Sequence, residues 1–133
     1  MADSLTSMLR ALVAASLLLA MATVMLVTVN HARAAGALAV GSCGAYGEAF
    51  DYASSGAASR SALAKCQAQG CRVVTTVRHG CAAFAVDYTN ACGGFGWGRA
   101  DKLGRAQNAA LKACSKEGGK ECVIRTFFCD AKG

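Results

Sequence analysis

Eight cysteines, all of them beyond residue 34, fall into two sets of four with nearly the same spacing, and this duplication limits the possible folds more than any other feature of the chain. Leu38-Ala39-Val40 matches Phe84-Ala85-Val86, and Cys43-Gly44 falls opposite Cys92-Gly93. Aromatic residues follow in both copies, Tyr46 and Phe50 in one and Phe95 and Trp97 in the other. A shift of 48 then places Ala58, Ala62, Leu63 and Cys66 over Ala106, Ala110, Leu111 and Cys114, while Cys71 and Cys81 answer to Cys122 and Cys129. The second copy carries an insertion, Lys116-Glu117-Gly118-Gly119, of the kind that surface turns accommodate. Two units are fewer than the three or so a solenoid needs. The pattern therefore predicts one domain with pseudo-twofold symmetry, its copies at about 37–83 and 84–130.

The first 34 residues read as an export signal. Arg10 closes a short polar start, Ala11 to Val29 is apolar apart from Ser16, Thr23 and Thr28, and Ala32-Arg33-Ala34 supplies a small-residue cleavage site. The mature chain is expected to begin near Ala35. The apolar run also approaches the roughly 20 residues needed to span a bilayer, so an uncleaved membrane anchor is the alternative.

Cleavage leaves residues 35–133 as a single domain. A chain of that size buries only about two thirds of the surface it exposes when unfolded, and its core alone is marginal. Disulfides, each adding about 2–4 kcal/mol, remedy this in an oxidising compartment. Zinc is the competing use of paired cysteines, and Cys66 and Cys71 have a C-x4-C spacing that metal ligands can adopt. Export, a single histidine in the mature part and the lack of a C-x2-C pair favour disulfides over a metal, and no cofactor is expected. Sequence alone does not choose among the pairings eight cysteines allow, but symmetry narrows them. Cys66 with Cys71 and Cys114 with Cys122 each tie a helix end to the following strand. Cys43 with Cys92 and Cys81 with Cys129 then join equivalent positions across the pseudo-axis.

Residues 1–34 contain Arg10, Arg33 and Asp3, so of the 14 basic and 8 acidic side chains 12 and 7 remain, a charge of +5. This mild positive balance suits adsorption to anionic envelope polymers or phospholipid headgroups, and equally suits plain solubility.

Along the mature chain, Ala37 to Val40 and Tyr46 to Tyr52 read as strands. Ser54 or Ser55 can cap a helix whose buried stripe is Ala58, Ala62 and Cys66, with Gly70 stopping it. Cys71 to Arg78 is rich in β-branched residues and predicts a strand. His79-Gly80 then predicts a two-residue hairpin turn, Gly80 supplying the positive φ, with Cys81 to Tyr88 as the antiparallel partner. The second copy predicts a strand at Gly94 to Arg99, a cap at Asp101, a helix from Lys102 to Cys114 and a strand from Cys122 to Cys129. A β-β-α-β order used twice predicts an α+β fold, one antiparallel sheet with both helices on one face, stabilised by disulfides.

The run Ala62-Leu63 to Cys66, the strand Cys71 to Thr76, Gly80-Cys81-Ala82-Ala83 to Val86, Gly96-Trp97-Gly98, the alanine-rich second helix ending in Cys114 and the closing Phe128-Cys129-Asp130 together resemble the bacterial domain of unknown function 4189 family. The resemblance spans about Gly36 to Asp130. It implies an exported α+β repeat domain and brings no catalytic residues with it. Cys43 and Cys92 look like additions to the family pattern.

Nucleophilic catalysis needs a base within reach of a serine or cysteine. His79 sits at a predicted turn, every cysteine belongs to the duplicated framework, and Glu48, Asp51, Asp87 and Asp101 form no acid and base pair by spacing. No catalytic residue is assigned. The glycine and aromatic run Gly93 to Arg99, echoed at Gly44 to Gly47, makes Tyr46, Phe95, Trp97 and Arg99 candidates for a shallow platform for sugar or peptide. The competing reading is that glycines let a neighbouring element approach and that the only tryptophan belongs to the core. Lys102, Arg105, Lys112 and Lys116 form a basic helix stripe that can meet anionic lipid, glycan or an acidic protein, and that equally describes a solvated face.

These features predict a small secreted or periplasmic bacterial domain that binds rather than catalyses. Its partner is expected to be a protein, a glycan or an anionic envelope component, as in a hydrolase inhibitor or a binder of envelope or host surface. Nucleic acid is not expected, and membrane contact only through the N-terminal segment if it is uncleaved. The alternatives are a secreted hydrolase with a site between the copies and a structural envelope component.

Overall fold

The uncharged run after Arg10 is helical. In the computed structural model, which describes residues 2–31 and 34–130, helix α1 spans Ala2–His31. Its stretch Thr6–Val24 has a mean hydropathy of 1.9 and is long and apolar enough to cross a membrane, a property that signal sequences share. The Ala32-Arg33-Ala34 cleavage motif lies mostly outside the described residues. Helix α1 is one unit and the remainder of the chain a second.

In the second unit, strand β1 (Ala35–Val40) is buried along its whole length. Successive strand side chains point to opposite faces. Leu38 and Val40 therefore go to one layer and Ala37 and Ala39 to another. Strand β1 is the middle of a three-stranded antiparallel sheet, flanked by β2 (Tyr46–Tyr52) and β3 (Arg72–Val77). Helix α2 (Ser55–Lys65) connects those two edges. The second half uses the same order. Strand β4 (Cys81–Asp87) is buried throughout and lies between β5 (Phe95–Ala100) and β6 (Cys122–Cys129), with α3 (Leu103–Lys116) connecting the edges.

The large apolar residues of both middle strands meet between the sheets, where Leu38, Val40 and Val77 pack with Ala82, Phe84, Val86 and Phe128. The small ones face outward under the helices. Ala58, Ala62 and Cys66 cover Ala37, Ala39 and Ala49, and Ala106, Ala110 and Cys114 cover Cys81, Ala83 and Ala85. The helices come to backbone contact with the sheets. A Cβ at Gly47 would stand 2.1 Å from the carbonyl oxygen of Ala62, so no other residue fits that strand position.

The α+β class and the disulfides hold, but the single sheet with both helices on one face does not. There are two sheets, face to face, with one helix on each outer side. The cause is the division of bulk in β1 and β4, large on one face and alanine on the other, which calls for two different partner layers. The expected hairpin of Cys71–Arg78 with Cys81–Tyr88 is also absent, because β3 and β4 belong to different sheets. His79, not Gly80, adopts the positive φ, at 56°. Its backbone N–H donates to the Asp130 carboxylate, and the Asp130 N–H donates to the Gly80 carbonyl at 2.9 Å. Asp101 does not cap α3. It pairs with Arg105 at 3.3 Å, both side chains being mostly exposed, and the N-cap position belongs to Lys102. Ser54 does cap α2, accepting from the Ala57 N–H at 3.2 Å.

The four disulfides are Cys43–Cys92, Cys66–Cys71, Cys81–Cys129 and Cys114–Cys122. Cys66–Cys71 and Cys114–Cys122 tie each helix end to its next strand. Cys81 and Cys129 are directly opposed residues of β4 and β6, so their bond lies within the second sheet and does not cross between halves. Cys43–Cys92 links the β1–β2 loop to the β4–β5 loop and joins the two halves.

Candidate functional site

The glycine and aromatic run becomes edge strand β5, and its alternation separates two jobs. Gly96 and Gly98 face α3, where added Cβ atoms would stand 2.3 Å from the Cys114 nitrogen and 2.4 Å from the Ala106 oxygen. Phe95 and Trp97 therefore project to the inter-sheet side. Phe95 packs against Phe84, ring centroids 6.2 Å apart. Trp97 lies opposite Phe84 in the sheet register but at the open flank, and its residue is 39% exposed. It belongs to none of the three core clusters, so the reading of the lone tryptophan as core is corrected.

Two depressions meet at this indole. One, of about 560 Å³, is bordered by Arg72, Phe95, Trp97 and, from the end of α3, Glu117. The other, of about 440 Å³, shares Arg72, Phe95 and Trp97 and extends past Val74 to Ser42 and Gln69. The cleft thus takes its rings from β5 and its arginine from β3 of the other sheet. A flat apolar ring beside a guanidinium, a carboxylate and an amide can hold a small hydroxylated ligand, stacking its apolar face and hydrogen-bonding its edge.

The other candidate residues do not join this cleft. Tyr46 lies on the opposite flank, its ring 5.4 Å from Phe84. Arg99, Lys102, Arg105, Lys112 and Lys116 are exposed, and Arg105 is engaged with Asp101. Arg72 was missed by the sequence reading. Its signal was a charged residue opening an otherwise β-branched strand.

Asp87, which the spacing assigns to no acid and base pair, has a structural role. It is buried at the end of β4, and its carboxylate accepts from the Lys120 N–H at 2.6 Å, the Thr89 hydroxyl at 2.8 Å, the Thr89 N–H at 2.9 Å and the Asn90 N–H at 3.1 Å. These donors, the Lys120 N–H foremost, hold its pKa well below the usual carboxylate range. The group is an anchor for two turns and presents no proton for acid catalysis. His79 is exposed, and among the described residues its imidazole has no hydrogen-bonding partner; the Asp130 contact is made by its backbone. No cluster of three metal-ligating side chains occurs among the described residues.

A two-sheet, two-helix domain cross-linked by four disulfides, with an aromatic cleft at one flank, defines the class: a small disulfide-stapled α+β module. The chain belongs to the family described as domain of unknown function (DUF4189), whose model matches residues 35–129. No curated protein and no solved structure matches it.

Proposed function

We propose that this protein is an exported binding module, released into the periplasm or medium by cleavage after Ala34, and that its Trp97 cleft holds a sugar ring of an envelope or host-surface glycan. The exposure of the indole carries this reading. A tryptophan left 39% exposed in a domain of this size forgoes part of the burial that would stabilise the fold, and that sacrifice is accounted for if a ligand covers the ring. Arg72 and Glu117 flank it with donors and acceptors suited to hydroxyl groups. The disulfide framework and backbone-close helices make the cleft rigid, so little conformational entropy is lost on binding.

Trp97 is the only tryptophan, so its emission reports on this cleft alone. Titration of the oxidised protein with neutral oligosaccharides from bacterial envelopes is expected to shift or quench that emission. By calorimetry, Trp97→Ala is expected to weaken binding by about tenfold or more, the scale of stacking on one aromatic. Unchanged emission across such a panel, with the protein still folded, would sink the proposal.

A further inference from the structure

The sheet registers show that the Trp97 cleft has a counterpart. In the first sheet Val40 pairs with Tyr46 on one side and Arg72 on the other; in the second, Val86 pairs with Phe95 and Val123. Tyr46 is thus the structural equivalent of Phe95, and Arg72 that of Val123. Two residues further on, Val74 corresponds to Arg125. Each flank of the sandwich therefore sets an edge-strand aromatic residue of one half, Phe95 or Tyr46, beside a single arginine of the other, with the arginine moved by one pleat.

On the second flank these groups border a second cleft of about 600 Å³, which adjoins the first at Ser42, with Tyr46 and Tyr88 as rings and Lys65 and Arg125 as cations. The cleft is also lined by Asp87, but that carboxylate is turned to its own turn and saturated by the donors of Thr89, Asn90 and Lys120. Among the described residues it forms no ion pair with Lys65 or Arg125, and its single negative charge leaves the two cations in excess. Lys65 gives one hydrogen to the Glu48 carbonyl at 2.8 Å and keeps two free. Arg125 has no partner among the described residues. Two cations with spare donors, in excess over the one hydrogen-bonded carboxylate, and two phenol rings make an oxyanion site with stacking surfaces, where the first flank has one arginine and an indole.

From this we infer that the Tyr46–Arg125 cleft is a second binding site, selective for a carboxylate-bearing sugar such as a uronic acid unit, with Arg125 and Lys65 holding the carboxylate and Tyr46 or Tyr88 supporting the ring. The guanidinium fork matches a planar carboxylate. This site does not depend on the Trp97 reading. If both are occupied, one acidic polysaccharide engaging the two flanks gains in avidity from the linkage.

The test is calorimetric titration of the oxidised protein with oligogalacturonate, its neutral methyl-esterified form and inorganic phosphate, using the native chain and the Arg125→Gln, Lys65→Gln and Trp97→Ala variants. Oligogalacturonate is expected to bind with an affinity that falls as salt rises, and the neutral form to bind at least tenfold more weakly. Arg125→Gln is expected to cost about tenfold or more and Trp97→Ala to leave the salt-dependent component in place. Arg125 and Lys65 are at the surface, and circular dichroism confirms folding of their variants. Equal binding of acidic and esterified oligomers, retention of full affinity in Arg125→Gln, or binding of phosphate with none of the uronate would each overturn the assignment. Loss of neutral-sugar binding alone would count against the Trp97 cleft only.

Discussion

The Asp87 carboxylate accepts from the Lys120 backbone N–H at 2.6 Å and thereby fastens the end of β4 to the entry of β6, 33 residues later. Because folding lowers its pKa, the ionised form is the one the fold favours, and Asp87 contributes stability in full above the ordinary carboxylate pKa of about 4. That contribution is lost progressively as the pH falls from about 4 towards the depressed folded-state value. Thermal melts between pH 5 and pH 2 are expected to show a steep acid loss in the native chain. Asp87→Asn is expected to melt lower at pH 7 and to show a flatter acid limb, because an amide presents N–H groups to donors that need acceptors. Parallel acid limbs for the two proteins would rule out this role.

The approach of α3 to β5 makes glycine obligatory at one position and replaceable at another. A Cβ at Gly96 would lie 2.3 Å from the Cys114 backbone nitrogen, which only movement of the helix can relieve, whereas a Cβ at Gly104 meets nothing within 4 Å. Gly96→Ala is expected to cost about 1–3 kcal/mol or more through overpacking. Gly104→Ala, on the exposed first turn of α3, is expected to gain up to about 1 kcal/mol. Denaturant unfolding of the two variants checks both signs at once.

Local relations were legible in the sequence and long-range ones were not. The stripe Ala58, Ala62 and Cys66 and the bonds closing Cys66–Cys71 and Cys114–Cys122 are set by spacing within one helix and the strand after it. The division into two sheets depended on which layer covers each side of β1 and β4, and alternating leucine and alanine does not name those layers. Arg78 to Gly80 reads as a hairpin because a short polar turn fits either outcome. Asp130, 51 residues from His79, holds the turn that sends the chain into the other sheet. Both clefts were hidden for the same reason, since Trp97 and Tyr46 each meet an arginine contributed by the opposite half.

Among the four disulfides Cys43–Cys92 has both residues exposed, while each of the others includes a buried cysteine: Cys66, Cys81 or Cys114. It closes the longest sequence separation, 49 residues, and loop-closure entropy assigns about 4 kcal/mol to such a bond. Limited treatment with a dithiol, followed by alkylation and peptide mapping, is expected to find Cys43 and Cys92 modified first. The Cys43→Ser, Cys92→Ser double variant is expected to keep its fold, since the inter-sheet packing is untouched, while losing about 2–4 kcal/mol. Modification of Cys81 or Cys114 ahead of Cys43 would refute the ordering.

Phe84 sits fully buried between the halves, its ring 5.4 Å from Tyr46 and 6.2 Å from Phe95, so the equivalent aromatic residues of both clefts rest on one side chain. Phe84→Ala removes that support and is expected to cost about 3–5 kcal/mol, lowering the melting temperature by more than ~10 °C. Phe84→Leu keeps most of the volume and is expected to cost under about 1.5 kcal/mol, so the domain stays folded while both rings lose their flat neighbour. In that variant the Trp97 emission and the affinity for acidic oligosaccharide are expected to change together, although neither Trp97 nor Arg125 has been altered. A change confined to one flank would mean that the clefts are supported independently and that Phe84 is only a filler of the core.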